Sequence, residues 1–320
     1  AWCRSRSLRR ERWGRRRVIT RRTLLRGLGA SVGSGLALAG YAFGFEPLYR
    51  LSVTRYAITP PDWPSRLQLK IALLSDLHAC EPTMPAARIE EIVAVTNGLG
   101  ADAVLLLGDY EASQRFMQRP LMPDEWAAIL AKLKAPLGVH AILGNHDYWD
   151  DLEAQASRRR PVRGRVALEK RGVPVYENDV VRLEKEGQGF WLAGLADQLA
   201  YITGRHDGSI QFEGLDDLTG TLSKVTDDAP VILMAHEPDI FPEVPARVAL
   251  TVSGHTHGGQ VRLFGWSPVV PSVYGNQYAY GHVVEDDRSL VVTGGLGCSI
   301  LPVRFGVPPE IVIVELGAEA

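Results

Sequence analysis

Leu67-Gln68-Leu69-Lys70-Ile71-Ala72-Leu73-Leu74-Ser75-Asp76-Leu77-His78 decides the fold. Its first eight residues form a short, mostly apolar run, as a strand in a sheet interior requires, and the run stops at a polar Asp-x-His. The same pattern recurs down the chain. Ala103–Leu107 runs into Gly108-Asp109-Tyr110, and Val139–Leu143 into Gly144-Asn145-His146-Asp147. Val231–Met234 runs into Ala235-His236-Glu237, and Val248–Val252 into Gly254-His255-Thr256-His257. Between the first two runs, Ile89, Ile92, Val93 and Thr96 recur at helical spacing after a start at Thr83 and Pro85. Trp126, Ile129, Leu130 and Leu133 do the same before the third. Strand alternating with helix predicts α/β layers. In such folds sites gather outside the strand ends on one sheet edge, so these motifs are expected to converge.

The residue types then name the chemistry. In an extended segment, residues i and i+2 face the same way. Asp76 and His78 are therefore expected to reach one ion, and His255 and His257 one ion or two adjacent ones. Gly108, Gly144 and Gly254 each precede a candidate ligand and are read as places where the backbone turns off its strand without a Cβ clash. Mixed carboxylate and imidazole donors suit Mn, Fe or Zn and argue against Ca or Mg alone. The three cysteines, Cys3, Cys80 and Cys298, contain no C-x-x-C pair, which excludes a thiolate zinc knuckle. Cys80 and Cys298 either pair as a disulfide between two loops at the site or stay as small buried residues. Of the remaining histidines, His140 reads as a strand residue, while His206, in a polar loop, is a weak candidate for substrate contact.

The set D-x-H, G-D, G-N-H, H and G-H-x-H, in this order over about residues 67 to 316, resembles the calcineurin-like metallophosphoesterase superfamily. Gly254-His255-Thr256-His257-Gly258-Gly259-Gln260 and the tail Gly294 to Ser299, Pro302-Val303-Arg304-Phe305 and Pro309-Glu310 are similar to a narrower branch, the YkuE/YaeI-like phosphodiesterases that are Tat-exported or membrane-anchored. The resemblance implies a four-layer αββα sandwich of two mixed sheets, with a dinuclear centre at the strand C-termini. It implies that Asp76, His78 and His257 bind the first metal, that Asn145, His236 and His255 bind the second, and that Asp109 bridges them. A water activated between the metals would then attack phosphorus, Asn145 would also touch the substrate phosphate, and His146 would protonate the leaving oxygen. Serine/threonine protein phosphatases of this superfamily carry G-D-x-x-D-R-G. Here the run is Gly108-Asp109-Tyr110-Glu111-Ala112-Ser113-Gln114, which lacks both that Asp and that Arg and leaves His146 without an identified partner.

The N-terminus reads as an export segment. Thr20-Arg21-Arg22-Thr23-Leu24-Leu25-Arg26 resembles a twin-arginine core, followed by residues 27 to 45 without a charge. Ala37-Leu38-Ala39 offers a small-x-small cleavage site; uncleaved, the segment is nearly long enough to anchor the chain in the inner membrane. The Arg cluster keeps its own side cytoplasmic, which puts the body in the periplasm. The expected organisation is a signal or anchor over 1–45, a linker over 46–66 and a metallophosphoesterase domain over 67–320. Residues 1 to 26 hold eleven Arg and one Glu, so a formal net charge of −2 leaves −12 on the remainder. A body that acidic argues against a nucleic-acid-binding surface.

Val173–Tyr176, Val180–Leu183 and Phe190–Leu195 predict short strands of a partly antiparallel second sheet, and Ser289–Thr293 and Glu310–Glu315 two later strands. Arg158 to Arg165 reads as a solvated basic turn or as a contact for an anionic headgroup or substrate phosphate. Tyr274, Tyr278 and Tyr280 either wall a substrate pocket or pack. The expected function is a phosphodiesterase or pyrophosphatase with two divalent ions (Mn, Fe or Zn), acting on a phosphoester that is lipid-linked or otherwise part of the envelope. The alternatives are a broad phosphomonoesterase that scavenges phosphate and a non-catalytic metal-binding scaffold.

Overall fold

The computed structural model describes residues 21–317, so the basic run before Arg21, Cys3 and the first residue of the twin-arginine core lie outside the described residues. The chain divides into two units, Ala1–Gly40 and Tyr41–Ala320. In the first, Arg21–Gly40 is one α-helix with Leu24, Leu25, Leu28, Val32, Leu36 and Leu38 exposed. By length and composition the run Leu24–Tyr49, with a mean hydropathy of 1.3, can cross a membrane.

The second unit is built on two mixed sheets. The first has the strand order 52–58, 310–316, 69–74, 103–106, 139–141, antiparallel only between 310–316 and 69–74. The second has the order 281–285, 288–292, 248–253, 231–234, 188–194, 179–185, parallel in the middle and antiparallel at both edges. Period-two alternation explains the layering. Ile71 and Leu73 point inward with Leu105 and Val312, and meet Leu192, Ile232, Met234 and Val252 of the other sheet. Ala72, Leu74 and Val104 point outward and meet Ile89, Ile92, Trp126 and Leu130 of the helices Ala86–Gly98 and Pro123–Leu130. Behind the second sheet, Ala193, Leu233 and Leu290 are covered by Ile240 and Phe241 of the short helix Pro238–Glu243. These are the four layers of the αββα sandwich.

Three segments differ from the sequence expectation. Residues 46–66 are not a bare linker: Ser52–Ile58 is an edge strand pairing in parallel with Glu310–Leu316. Its inward side chains include Thr54, which hydrogen-bonds Glu310, and Tyr56, so an apolar alternation was never there to read. Val173–Tyr176 makes only an isolated parallel bridge, Ala141 to Val175, beside the short edge strand 139–141. Tyr201–His206 and Ser209–Glu213 form a hairpin almost wholly exposed, set by the Asp207-Gly208 turn, in which both residues have positive φ.

Candidate metal centre

All five predicted motifs lie at the ends of their strands, 69–74, 103–106, 139–141, 231–234 and 248–253. Asp76, His78, Asp109, Asn145, His236, His255 and His257 are all buried there. One group, Asp76, His78, Asp109 and His257, has its ligand-type atoms within 4.8 Å of one another; a second joins Asp109 to His236 and His255 at the same limit. Asp109 is common to both. Its Oδ2 lies 3.6 Å from His78 Nε2 and 3.3 Å from His236 Nε2. Asn145 Oδ1 is 2.8 Å from His255 Nδ1, His257 Nε2 is 3.4 Å from Asp76 Oδ1, and the Nε2 atoms of His78 and His257 face each other at 3.0 Å.

Backbone groups fix the rings. His78 Nδ1 donates to the carbonyl of Glu111 and His236 Nδ1 to that of Leu107, since a carbonyl can only accept. Each ring thus turns Nε2 into the cluster, as metal-ligating histidines with an outer hydrogen bond do. His236 Nε2 and Asp76 Oδ2 are buried without a hydrogen-bond partner. Orphaned polar atoms of this kind, among mixed carboxylate, amide and imidazole donors, fit a pair of divalent cations. Burial holds His78 and His255 down to about 4 and His257 well below its ordinary range, so their ring nitrogens are neutral and free to ligate. Burial raises Asp76 to about 6. For Asp109, burial is outweighed by the imidazoles of His236 and His146, which hold it well below the usual carboxylate range. Burial likewise gives way to the Asp109 carboxylate at His236, which is raised well above its ordinary value. His236 and Asp109 are thus an ion pair whose cationic half a metal can replace.

The local backbone differs from the expected extended form. Asp76, His78, Asp109, His255 and His257 all have φ between 45° and 65°. The i,i+2 pairs share a target through left-handed turns, not through a continued strand, and each such residue costs about 1–3 kcal/mol that the surrounding packing must offset. A Cβ would clash at all three glycines, as the sequence reading expects. Gly108 also has φ of 95°, and a Cβ on it would overlap Gly144 N. A Cβ on Gly144 would overlap Asp109 Oδ1 and come within 2.6 Å of His236 Cε1; one on Gly254 would overlap Ser75 Oγ and reach within 2.5 Å of Asp76 Oδ2.

Two residues of the site escaped the sequence reading. Asp147 accepts hydrogen bonds from the backbone N–H of Gly144, Asp109, Tyr110 and Glu111 at 2.9–3.2 Å, which ties the Asp109 loop to the Asn145 loop. Burial and then the Asp109 carboxylate push Asp147 up to about 8, against four donors that favour its anion. Asp150 Oδ2 lies 2.9 Å from His146 Nδ1, with Ser113 Oγ at 3.2 Å. It supplies the partner that the missing Asp of G-D-x-x-D-R-G left open. The readable signal was the His146-x-x-x-Asp150 spacing of one helical turn. Burial, which lowers His146, is outweighed by the carboxylates of Asp109 and Asp150, which raise it.

A cavity of about 440 Å³ opens on the cluster, lined by Asp109, Asn145, His146, His255 and His257 and walled by Trp149, Val269, Pro271 and Ile300. Phe212 of the exposed hairpin stacks on Trp149 with ring centroids 5.2 Å apart. Several other expectations resolve. His140 is a buried strand residue held by Tyr176 and Leu137. His206 is exposed beside Asp207 and does not line the cavity. Tyr278 packs on Phe241 and Tyr274, and Tyr280 donates to Glu310, so the tyrosines pack and do not wall the pocket. Arg158, Arg159, Arg160, Arg163 and Arg165 each pair with a carboxylate, those of Glu111 and Glu177 being buried, and Arg163 opens the helix Arg163–Glu169, so the segment is more than a solvated turn. Cys80 and Cys298 are free and buried.

The family model described as calcineurin-like phosphoesterase matches residues 69–259. The chain is 28% identical to the uncharacterized metallophosphoesterase YkuE of Bacillus subtilis, over 93% of this chain and 98% of that protein. It is 27% identical to an uncharacterized metallophosphoesterase of Aquifex aeolicus, over 86% of this chain and 95% of that one. It is 29% identical to a transmembrane protein with metallophosphoesterase domain of Danio rerio, over 78% of this chain and 53% of that protein.

Proposed function

The chain belongs to the calcineurin-like phosphoesterase family, and from that premise we propose that this metal-dependent phosphoester hydrolase is a phosphodiesterase or pyrophosphatase for a lipid-linked or envelope substrate. The observation that carries the reading is the wall of the cavity. Among the residues lining it none is Lys or Arg, and Trp149, Val269, Pro271 and Ile300 stand beside the polar cluster. A phosphomonoester dianion calls for a guanidinium or ammonium beyond the metals. A diester or pyrophosphate with an apolar substituent instead needs a place to bury that substituent.

Asp76, His78 and His257 would hold one divalent cation, Asn145, His236 and His255 the other, with Asp109 shared. Such cations supply Lewis acidity, which lowers the pKa of water and draws charge from phosphoryl oxygens. The protein's own part is positioning. Asp147 sets the two loops, and the carbonyls of Glu111 and Leu107 orient His78 and His236. Asp150 and Ser113 hold Nδ1 of His146, leaving Nε2 to give a proton to the departing oxygen. Trp149, Val269, Pro271 and Ile300 exclude water from one side of the reacting phosphate.

The twin Arg21-Arg22 at the start of a largely apolar helix supports export through the Tat machinery, either to the periplasm or to an anchored position on the inner membrane. The test of the activity is hydrolysis of bis-p-nitrophenyl phosphate against p-nitrophenyl phosphate, extended to lipid pyrophosphates, by full-length protein supplied in turn with Mn, Zn or Fe. Preference for the diester is expected. A uniform preference for the monoester would replace this reading with the phosphate scavenger.

A further inference from the structure

The apolar wall of the cavity continues outward at its mouth. Phe116, Phe264, Trp266, Val269 and Ile300 are all exposed, Phe264 completely. They belong to one surface. Arg115 N donates to the carbonyl of Ile300 at 3.3 Å, which brings the Phe116 loop to residue 300. Arg262 N donates to the carbonyl of Phe305 at 2.8 Å, which sets the 262–266 turn beside the 299–305 loop. Val269 and Ile300 border the cavity itself.

Phe264 is the telling residue. Leu263 and Trp266 pair across a tight turn with Phe264 and Gly265 at its tip, and Phe264 has φ of 51°. Turn tips in that conformation take Gly, Asn or Asp; a bulky aromatic there is strained and in water gains no packing. An apolar phase at the tip removes the second cost. Trp266 beside it is the residue type that favours a membrane–water interface.

Tyr41 and Ala42, the first residues of the second unit and next in the chain to the apolar helix, meet the same loop. Arg304 N donates to the carbonyl of Ala42 at 2.9 Å, and the Tyr41 ring meets Phe305 edge-on at 5.9 Å. The Arg304 guanidinium lies 3.3 Å from His257 Nδ1, so one residue links Ala42 to the candidate ligand cluster. We infer that this rim rests in the interfacial layer of a phospholipid bilayer, with Phe264 and Trp266 immersed and the cavity opening at the membrane surface. Arg115, exposed next to Phe116, meets the headgroups. The rim thus brings a membrane-borne phosphate to the cluster without the lipid leaving its leaflet.

The test uses the full chain in vesicles of phosphatidylethanolamine and phosphatidylglycerol, with Cys3→Ser and a spin label at Phe264→Cys, and with Glu186→Cys as the control on an exposed turn. Collision with oxygen relative to a water-soluble nickel chelate is expected to be about fivefold higher at 264 than at 186. Equal, water-like values at both would overturn the inference. So would dipolar broadening at 264 from a second copy of the chain. This measurement needs no hydrolysis, so it stands or falls apart from the proposed reaction. An activity arm, which does rest on that reading, uses Phe264→Ser with Trp266→Ser. Hydrolysis of the p-nitrophenyl ester of phosphatidic acid in vesicles should fall about tenfold, with bis-p-nitrophenyl phosphate unchanged. Equal loss on both substrates would contradict the bilayer role.

Discussion

Replacing Asp147 by Ala removes the acceptor for four buried backbone N–H groups at once, those of Gly144, Asp109, Tyr110 and Glu111. Each orphaned donor costs about 1–3 kcal/mol, and water entering the vacated space can satisfy some of them. With two rescued, the loss is still at least about 2 kcal/mol; with none rescued it is at least about 4 kcal/mol. The loss falls on the tie between the Asp109 and Asn145 loops, so metal retention should fail with it. Urea unfolding of the full chain in mild detergent, followed by tryptophan fluorescence, reads the stability. At an m-value of about 3 kcal/mol/M, the midpoint should drop by roughly 1 M. Asp147→Asn keeps one carbonyl oxygen for Tyr110 and Glu111 but turns an NH2 toward Gly144 and Asp109, so it should lose a similar share. Asp147→Ala within about 1 kcal/mol of the parent, with full metal content, would refute the reasoning.

Other outcomes follow from the same geometry. Asp150→Asn should lower kcat for the diester by about tenfold or more with KM and metal content little changed, and His146→Ala by about 10²–10⁴-fold; a loss of metal in either variant would mean that they act on the ligands instead. Gly254→Ala puts a Cβ against Ser75 and Asp76, and should weaken metal binding by about tenfold or more, read by metal analysis after dialysis. His140, whose pKa burial lowers, stays neutral in the folded protein while the unfolded chain takes up a proton below about pH 6.5. Stability should therefore decline as pH falls below that value, and His140→Gln should flatten the decline; an unchanged slope in urea titrations across that range would count against it.

The site was more legible in the sequence than its geometry. Apolar runs ending at Asp76, Asp109, Asn145, His236 and His255 announced a sheet edge, because buried parallel strands must be continuously apolar and their ends are where polarity returns. The reasons drawn from spacing held less well. An i,i+2 rule for extended chains pairs Asp76 with His78 and His255 with His257, yet all four sit in left-handed turns that no periodicity reports. Gly144 and Gly254 do avoid a Cβ clash, but with another loop, which the sequence around them does not show. Asp147 and Asp150 were quoted or passed over without a role, because a carboxylate that binds backbone amides or steadies a histidine has no signature apart from its fold. The edge strand Ser52–Ile58 hid for a different reason: Thr54 hydrogen-bonds Glu310 and Tyr56 packs against His282, and a strand with polar inward contacts does not alternate in hydropathy. The hairpin 201–213 lacked apolar alternation too, although Asp207-Gly208 was a turn signal in plain view.

The central claim is that one shared carboxylate, Asp109, joins two cation sites whose loading controls hydrolysis. It is tested most directly by stripping the full-length protein with chelator and titrating back Mn, Zn or Fe, while measuring bound metal and hydrolysis of bis-p-nitrophenyl phosphate together. The account predicts two equivalents bound, activity that rises with the second, and an Asp109→Asn variant that binds less and turns over little. Full hydrolysis by the stripped protein, or activity complete at a single equivalent and unaffected by Asp109→Asn, would contradict it.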